Sequence, residues 1–468
     1  MGNALSTNEQ WIQTILQQLT PRFGEFASDI LSHQVEPLIQ RVFQKSNVPN
    51  VEFKFTKLDF GDVPPTIDNL ETHGTPEGQD AAKSVTVDFD FKYLGNCDLQ
   101  VSILGIQSGV RDVQMSARAR LVMKPTTKEV PFVGGLQFCF LTIPVIDFNL
   151  DGIADLIDWP PLKRRVRKEI QEDIAKRCVY PNFYTIPTSS NGANIEAVKS
   201  FEASGLVLVK LLSGENFAKK GGLSGSIRSL IGQNKPDPYG KIKLGALIQT
   251  SSVVKDNVDP IWNEDKPLVA LLDTLKGHEI RVDFYDEDSL SRDNFLGHIV
   301  KSTNDLPSYE IVQETLKLLD DPIENDDKEP TEVSGQATLE FQFLPSLTEQ
   351  PDDARFTITS VFIYSFNNLL AADSDTYPNT QALVQVGNDF KVSQIFKDTP
   401  HPAFEESFIF VHKSQEDVTV KILDADTGSE LGSLILSTPD FPIKRKILSV
   451  NSDQPYMTVT LSANLKYC

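Results

Sequence analysis

The amino-acid sequence predicts an α+β fold in the N-terminal part of the chain and all-β sandwiches in the rest. Apolar residues recur at helical spacing over residues 8–44, which predicts amphipathic helices. Apolar and polar residues then alternate strictly over residues 85–93 and 113–121, as they do in long strands with one apolar face. Over residues 236–297, short alternating runs are separated by polar loops. This last pattern indicates an antiparallel β-sandwich.

Length and composition fit a globular protein of about three domains. The chain has 468 residues, of which 40% are hydrophobic and 23% charged, and these values are ordinary for soluble proteins. The longest apolar stretches, such as residues 138–146, are shorter than the roughly 18 residues that a membrane span needs. We therefore expect no transmembrane span. The four cysteines lack the spacing of a metal site or a disulfide framework, which favours a reducing, cytosolic setting.

The net charge of −21 is concentrated in one stretch of the sequence. Residues 304–353 contain 14 acidic and 2 basic residues, a net charge of −12. We therefore predict an acidic, disordered loop over residues 304–333 and nearly neutral folded regions elsewhere. The charge distribution is compatible with a membrane partner, including anionic phospholipids. No nucleic-acid partner is predicted.

The first predicted element is the helical stretch over residues 8–44. Pro21 and Pro37 are expected to divide it into separate helices. An amphipathic stretch of this length either lies on a membrane or packs on a neighbouring sheet. Because lysines and arginines are sparse in it, packing on the sheet is the preferred interpretation.

The N-terminal sequence Met1-Gly2-Asn3-Ala4-Leu5-Ser6 fits the acceptor pattern for N-myristoylation at Gly2. The motif is short, so a chance match is the alternative interpretation. A single acyl chain gives weak, reversible anchoring. An acylated protein would therefore need a second membrane contact.

The long strands after residue 84 predict a twisted antiparallel sheet with one apolar face. Such a face must be covered by helices, by a second sheet or by a ligand. From the residues alone, an ordinary dry core is the default interpretation.

The sandwich pattern in the second half of the chain resembles the core of a C2 domain. The resemblance rests on four segments, Pro236-Asp237-Pro238-Tyr239, Asp259-Pro260-Ile261-Trp262-Asn263-Glu264, Phe284-Tyr285-Asp286-Glu287-Asp288 and Asp293-Asn294-Phe295-Leu296-Gly297. C2 domains are β-sandwiches whose loops at one end gather aspartates around calcium and contact phospholipid. The resemblance therefore implies a calcium-regulated membrane-binding domain.

The C2 resemblance implies calcium ligands at Asp237, Asp286, Asp288 and, with a poorer match, Asp293. Calcium takes roughly six to eight oxygen ligands, and aspartates two apart on an extended chain point to the same side. The family's other first-loop aspartate falls where this sequence has Lys220-Gly221-Gly222. We therefore expect weakened calcium affinity or stoichiometry. A solvated acidic loop without calcium is the alternative.

The same first loop contains basic and apolar residues that are candidates for membrane contact. They are Lys219, Lys220, Leu223, Ile227 and Arg228. Apolar residues at helical spacing with bases nearby suit insertion into a bilayer. Folding back on the sandwich as a short helix is the alternative.

A second C2-like pattern begins at Phe356. Gln381 stands where the family has the Asp-Pro-Tyr aspartate, and the third loop keeps only Asp424 and Asp426. Two carboxylates are too few for a good calcium cage. This domain is predicted to be calcium-independent.

The N-terminal part resembles the synaptotagmin-like, mitochondrial, lipid-binding (SMP) domain. The resemblance rests on the order of the opening helix ending near Val42, Phe55-Thr56-Lys57-Leu58, Gly61-Asp62-Val63-Pro64, Pro131-Phe132-Val133-Gly134, Ile146-Asp147-Phe148 and Asp158-Trp159-Pro160. An SMP domain followed by two C2 domains is similar to the extended synaptotagmins and tricalbins. The similarity implies a TULIP-like roll of helix and twisted antiparallel sheet, which holds acyl chains in an apolar groove and forms a homodimer end to end.

Under this resemblance, residues of the apolar sheet face become candidates for lining a lipid groove. They are Val87, Phe89, Phe91, Val101, Ile103, Met115, Leu121, Phe140 and Ile146. The predicted division of the chain is an SMP domain over 1–187, a linker over 188–203, a C2 domain over 204–345, a linker over 346–354 and a second C2 domain over 355–468.

The family resemblance implies a glycerolipid-transfer protein that tethers endoplasmic reticulum to plasma membrane from the cytosolic side. Its first C2 domain would bind phospholipid under calcium control. The alternative is a calcium-responsive membrane adapter in which the SMP domain only dimerises and carries no lipid. Enzyme activity is not predicted, because the sequence has no Gly-x-Ser-x-Gly elbow, phosphate-binding loop or kinase signature.

Overall fold

The structure is a computed structural model of the chain. It describes residues 7–45, 52–73, 84–103, 105–150, 159–188, 195–217, 235–262, 266–288, 293–320, 332–370, 376–413, 416–452 and 456–468. In chain order it contains a helix-and-sheet region followed by two β-sandwiches. The predicted fold class is therefore confirmed.

The opening helical stretch contains two α-helices, α1 (Thr7–Ile30) and α2 (Glu36–Lys45), joined by a π-helical turn over Leu31–Val35. The prediction that Pro21 ends a helix is wrong, because α1 continues through it. Pro21 and Gln17 are both exposed, so the carbonyl that Pro21 leaves without a donor is open to water. Pro37 lies in the first turn of α2, where a missing N–H is tolerated.

The two helices differ in how they pack. Ile39, Val42 and Phe43 of α2 are buried in a core shared with the sheet, as the sequence predicted. On α1 a row of large apolar side chains remains exposed, and we call it the α1 stripe: Trp11, Ile15, Leu19, Phe23 and Phe26. The predicted packing on the sheet is therefore seen for α2, whereas part of the apolar surface of α1 stays exposed.

The N-terminal sheet has eight antiparallel strands. They are β1 (Phe53–Asp59), β2 (Thr66–His73), β3 (Val85–Leu94), β4 (Asp98–Ile103), β5 (Ile106–Met123), β6 (Gly135–Phe140), β7 (Val145–Leu150) and β8 (Tyr184–Pro187). The main order is β1-β4-β5-β3-β2, while β6 and β7 both pair with β5, and β8 pairs with β6. Because one long strand has partners along different parts of its length, the sheet is not a single flat layer. Helix α3 (Trp159–Cys178) follows β7 in the chain and contacts it.

The register of β3 on β5 explains the alternation seen in the sequence. Phe91 lies opposite Ala117 and Val87 opposite Leu121, while Asp88 lies opposite Arg120. Neighbouring pairs in such a register point to opposite faces of the sheet. One face is therefore apolar, and the other carries charged residues.

The first sandwich contains β9 (Gly205–Glu215), β10 (Pro238–Leu244), β11 (Leu247–Thr250), β12 (Leu268–Leu272), β13 (Glu279–Asp286), β14 (Asn294–Ser302), β15 (Ile311–Leu319) and β16 (Glu332–Pro345). Their hydrogen-bonded order is β11-β10-β13-β14-β15-β16-β9-β12. The prediction of a disordered loop over 304–333 is wrong where β15 lies. Its Leu318 is fully buried in the core, and Glu314 is paired with Lys301 at 2.6 Å. Because the prediction relied on the number of acidic residues, it missed the alternate apolar residues of β15 that face the core.

The second sandwich consists of two four-stranded sheets, with orders β20-β17-β24-β23 and β19-β18-β21-β22. The strands are β17 (Thr357–Asn367), β18 (Thr380–Val386), β19 (Asp389–Phe396), β20 (Glu406–His412), β21 (Val418–Asp424), β22 (Glu430–Leu436), β23 (Ile443–Ser449) and β24 (Thr458–Tyr467). A 3₁₀ turn at Thr438–Asp440 links β22 to β23.

A buried ion-pair network joins the charged face of the N-terminal sheet to the first sandwich. Arg120 donates from Nε to Asp88 Oδ1 at 2.7 Å and from Nη1 to Asp273 Oδ1 at 2.9 Å. His278 Nε2 lies 2.8 Å from both Arg120 Nη1 and Asp273 Oδ1. Tyr180, which is fully buried, donates from its hydroxyl to Leu271 O at 2.9 Å. We call this set of residues the joint.

A short helix, α4 (Ile195–Lys199), connects the N-terminal region with the second sandwich. It lies within the stretch predicted as a linker and contacts β6, β8 and β20. Ile195 packs against Phe362 and Tyr364 of the second sandwich. The two sandwiches also share an apolar core around Leu206, Leu208, Leu271, Leu344, Phe356 and Ile358. All three regions are thus in direct contact.

Candidate functional site

A cavity of about 1750 Å³ is lined mainly by residues of the N-terminal region. Seven of the nine groove residues expected from the sequence line it, namely Phe91, Val101, Ile103, Met115, Leu121, Phe140 and Ile146. Val87 and Phe89 do not. Phe89 instead packs in a core cluster with Ala119 and Val179, and Val87 packs against the same cluster. The apolar face of the sheet is therefore part cavity wall and part dry core.

The sheet wall of the cavity is rich in aromatic rings. Phe140 makes edge contacts with Phe91, at a centroid distance of 6.0 Å, and with Phe138, at 5.0 Å. Such contacts stabilise a pair by about 0.5–1.5 kcal/mol beyond area burial. The wall therefore combines an apolar surface with well-packed side chains.

The helices supply lining residues that the sequence interpretation missed. Val166, Ile170 and Ile174 of α3 line the cavity, as do Phe23 and Phe26 of α1. The α3 residues follow each other at intervals of four, so they share one helix face. That spacing was the available signal, but the many charges of α3 obscured it.

Ion pairs hold α3 over the sheet. Asp147 of β7 binds Lys163 Nζ at 2.9 Å and also pairs with Arg167. Although burial raises the pKa of Asp147, the hydrogen bond from Lys163 and the nearby Arg167 charge lower it overall. Asp147 therefore stays ionised near neutral pH, and these contacts fix the apolar face of α3 against the cavity.

The four predicted calcium ligands of the first sandwich lie at the same end of strands β10, β13 and β14, in two hydrogen-bonded groups. Asp286 is fully buried, and its Oδ1 accepts a hydrogen bond from the Asp237 backbone N–H at 2.7 Å. Asp293 accepts from the Tyr239 hydroxyl at 2.7 Å and from the Asp288 backbone N–H at 3.1 Å. The hydrogen bond from Tyr239 lowers the pKa of Asp293. Their oxygens are of the type that calcium prefers.

These carboxylates do not make a formed metal site. Within the ranges that the structure describes, no three His, Cys, Asp or Glu side chains lie close enough together to hold a metal ion. The calcium assignment stays a prediction.

In the second sandwich, the two third-loop aspartates are engaged in local hydrogen bonds. Asp424 accepts from the backbone N–H groups of Asp426 and Thr427 at 2.9 and 3.0 Å, and Asn379 donates to Asp426 at 2.8 Å. The hydrogen bond from Thr427 lowers the pKa of Asp424. These contacts stabilise a tight turn.

Other predicted sites lie outside the described residues. They are the myristoylation candidate Gly2 and the membrane-contact candidates Lys219, Lys220, Leu223, Ile227 and Arg228. Among the helices that are described, none is long and apolar enough to cross a membrane.

Comparison with known families assigns both kinds of domain. Residues 6–189 match the synaptotagmin-like mitochondrial-lipid-binding domain family. Residues 205–318 and 357–453 each match the C2 domain family. The chain is homologous to the extended synaptotagmins. It thus combines an SMP domain with a first and a second C2 domain, which correspond to the helix-and-sheet region and the two sandwiches.

Curated relatives and a solved structure agree with this assignment. Human extended synaptotagmin-3 is 26% identical over 453 residues, covering 91% of this chain and 48% of the relative. Human extended synaptotagmin-2 is 25% identical over 485 residues, covering 98% and 50%. A solved structure of the SMP domain and two C2 domains of extended synaptotagmin 2 matches with a TM-score of 0.66 and 20% identity, covering 99% of both chains. The chain spans about half the length of the curated relatives it matches.

Proposed function

We propose that this chain binds glycerolipids in the SMP cavity and transfers them between two membranes that it tethers. The observation that carries the proposal is the 1750 Å³ cavity with its apolar, aromatic wall. Small-molecule pockets usually measure roughly 300–1,000 Å³, so this cavity has room for a ligand larger than a typical metabolite. Acyl chains match its apolar lining.

Transfer of this kind needs no covalent chemistry. Each methylene that stays out of water is stabilised by about 0.8 kcal/mol, so an acyl chain of about 14 methylenes loses on the order of 11 kcal/mol on entering water. An apolar cavity such as that lined by Phe91, Met115 and Phe140 offsets this loss. The SMP domain thereby lowers the free energy of taking a lipid from a bilayer.

The proposed setting is the cytosolic face of contact sites between the endoplasmic reticulum and the plasma membrane. The two C2 domains would bind anionic phospholipid surfaces. Asp237, Asp286, Asp288 and Asp293 are the proposed calcium ligands of the first C2 domain. Because the described carboxylates do not form a complete cage, calcium affinity is proposed to be low.

A second copy of the chain is proposed to pack on the α1 stripe, giving a homodimer through the SMP domain. Trp11 and Ile15 in this stripe are 59% and 47% exposed. Large apolar patches on a protein surface commonly mark interaction sites. The helix has few basic residues for an anionic membrane, which favours a protein partner.

Native mass spectrometry of the full chain, purified without detergent, tests both proposals. We expect glycerolipid adducts on a dimer. Cavity-filling Met115→Trp and Leu121→Trp should remove the adducts, whereas Ile435→Trp, at a position 64% exposed on the second C2 domain, should retain them. Trp11→Glu with Ile15→Glu should give monomers, while the exposed Gln18→Glu should not.

A folded wild-type chain that carries no lipid after incubation with phospholipid vesicles would contradict lipid transfer. The calcium-responsive adapter would then be the better hypothesis. Dimers that persist in the Trp11 and Ile15 variant would place the second copy elsewhere.

A further inference from the structure

The turn between β5 and β6 exposes three consecutive apolar residues, Val130, Pro131 and Phe132, which we call the tip. Val130 is 82% exposed and Phe132 is 59% exposed. None of the three lines the cavity. A run of exposed apolar residues of this length is unfavourable in water and is expected only where it has a function.

The turn is closed by hydrogen bonds within its own backbone. The Thr127 N–H donates to Phe132 O at 2.8 Å, and the Phe132 N–H donates to Glu129 O at 2.6 Å. At the base of the turn, the Gly134 N–H donates to Pro125 O at 2.8 Å. Because these polar groups are satisfied inside the turn, the free-energy cost of moving it into an apolar environment is reduced.

Phe132 gains little from the turn in which it lies. Its φ is +70°, a backbone conformation that is unfavourable for a bulky side chain and that glycine or asparagine adopts more readily. Because the side chain is exposed, it also buries little apolar surface within the fold. An aromatic residue in such a place indicates a contact outside the chain.

The tip adjoins an opening of the cavity. Strand β6 begins just after the turn and pairs with β8, which places Leu136 opposite Ile186. Leu136, Tyr184 and Ile186 line the cavity, and Tyr184 and Ile186 are also 49% and 48% exposed. The Thr188 N–H, just after β8, donates to Gly134 O at 3.0 Å. Apolar surface therefore continues from the tip along β8 into the cavity.

We propose that the tip inserts into the surface of a lipid bilayer and holds the neighbouring opening of the cavity against it. This inference rests on the proposed lipid-binding function and adds the surface at which a lipid enters. The tip with Tyr184 and Ile186 amounts to five side chains, whereas a stable protein interface takes about 20–30 residues from each partner. Insertion into a bilayer depends on the apolar area that enters it, so a small tip suffices for a reversible contact.

Quenching by brominated lipid tests the contact in the full chain. Phe132→Trp is mixed with vesicles of brominated phosphatidylcholine and phosphatidylserine in the presence of calcium, so that the C2 domains can also bind. We expect vesicles to quench its tryptophan fluorescence more than that of the wild type. Leu94→Trp is the matched control, because Leu94 is 68% exposed and lies opposite Gln114 of β5. Gln114 precedes the end of β5 at Met123 by roughly 30 Å of strand, so this variant should be quenched no more than the wild type.

Two outcomes would overturn the contact. One is equal quenching of Phe132→Trp and Leu94→Trp. The other is quenching of Phe132→Trp that persists after the chain is separated from the vesicles, because lipid bound in the cavity would then be its source. If the vesicles do not quench Phe132→Trp and Phe132→Asn converts a native dimer into monomers, the tip contacts a second copy of the chain instead.

The rate of lipid uptake tests what the contact does. Val130→Ser with Phe132→Asn removes the apolar tip, and asparagine tolerates the positive φ. This double variant should take up a fluorescent phospholipid from vesicles about tenfold more slowly, equivalent to about 1.4 kcal/mol. It should carry as much lipid at equilibrium as the wild type and unfold at no lower urea concentration, because the cavity is unchanged. Leu94→Ser should take up lipid at the wild-type rate.

These outcomes separate the inference from the proposed function. Equal rates of uptake in the wild type and the double variant would overturn the role of the tip and leave lipid binding intact. Quenching of Phe132→Trp by vesicles, without lipid uptake by the wild type, would contradict lipid transfer and leave the membrane contact.

Discussion

At the scale of single residues, Arg120 is the clearest case of a side chain whose role comes from another domain. Its side chain is fully buried, as is that of Asp88. A buried guanidinium is tolerated only when carboxylates and hydrogen-bond acceptors surround it. Asp88 from the SMP sheet, with Asp273 and the Lys276 carbonyl from the first C2 domain, supplies them.

Replacing Arg120 by Met should strongly destabilise the chain. Two carboxylates, Asp88 and Asp273, would lose their counter-charge in a buried site, which costs about 3–5 kcal/mol of unfolding free energy. Urea unfolding measures this loss. The control is Arg111→Met, at an exposed position on the same strand, which should cost no more than about 1 kcal/mol. Equal losses of unfolding free energy in the two variants would contradict the proposed role of Arg120 in the joint.

His278 should make the joint sensitive to acid. It is buried against Arg120, Asp88, Asp273 and Tyr180, and burial lowers its pKa more than Asp273 raises it. Below an unfolded-state pKa of about 6.5, the unfolded chain therefore binds a proton that the folded chain does not. Stability should fall with decreasing pH by at most about 1.4 kcal/mol per pH unit.

Urea unfolding at about pH 7.5 and about pH 5.5 checks this dependence. His278→Gln should lose less stability than wild type between the two values, whereas His33→Gln, at an exposed position, should behave as wild type. Asp273 acts in the same direction at lower pH. Burial raises its pKa, but His278 and Arg120 lower it overall. A larger loss of stability between the two pH values in His278→Gln than in the wild type would contradict a neutral His278 in the folded chain.

At the scale of elements, the turn between β12 and β13 carries the first C2 domain's half of the joint. Gly277 in this turn has φ +81°, and a Cβ there would lie 2.0 Å from Asp88 Oδ2 and 2.7 Å from Arg120 Nη2. Glycine therefore serves both the backbone conformation and the close approach of two domains. A sequence pattern cannot show the second reason.

Gly277→Ala should loosen the contact between the SMP and first C2 domains. Hydrogen exchange at Tyr180 and Asp273, and proteolysis within residues 188–203, should both become faster. Gly105→Ala is a matched control, because Gly105 has φ +79° but nothing within 4 Å of a Cβ. It should cost only about 1 kcal/mol of backbone strain. If hydrogen exchange at Tyr180 and Asp273 is equally fast in the two variants, the steric explanation is wrong.

The loop after β13 is the element in which the calcium prediction is best tested. Asp288→Asn removes one carboxylate while keeping a group that can contact Asn294, which now donates to Asp288 Oδ2 at 2.7 Å. We expect calcium-dependent binding to anionic vesicles to need at least about tenfold more calcium. Chelation should release the wild type, and Asp305→Asn should not differ from it. If the wild type binds the vesicles equally well with and without calcium, the assignment of these aspartates as calcium ligands is wrong.

At the scale of the whole molecule, a buried ion-pair network joins two of the three domains, and the cavity is lined by residues of all three. The joint connects the SMP sheet to the first C2 domain, and α4 connects it to the second. Because the cavity extends to the second C2 domain, lipid binding and the arrangement of the domains are coupled in the proposed function.

Much of this architecture could be predicted from the sequence because it depends on local periodicity. Alternation identified β3 and β5, and helical spacing identified α1 and α2. The order of motifs identified the SMP and C2 domains, and seven of the nine expected groove residues line the cavity. Two predictions failed, and both concern local structure. Helix α1 continues through the exposed Pro21, and β15 lies in a stretch that was predicted to be disordered from its charge alone.

Only the tertiary structure decided which side chains of different domains meet. Asp88 and Arg120 looked like solvent-facing residues of an amphipathic strand, yet the first C2 domain buries both. Val87 and Phe89 share the apolar alternation of Phe91, yet they do not line the cavity and pack in a cluster with Ala119 and Val179. Periodicity specifies which face of a strand is apolar, whereas the packing of distant elements determines what covers that face.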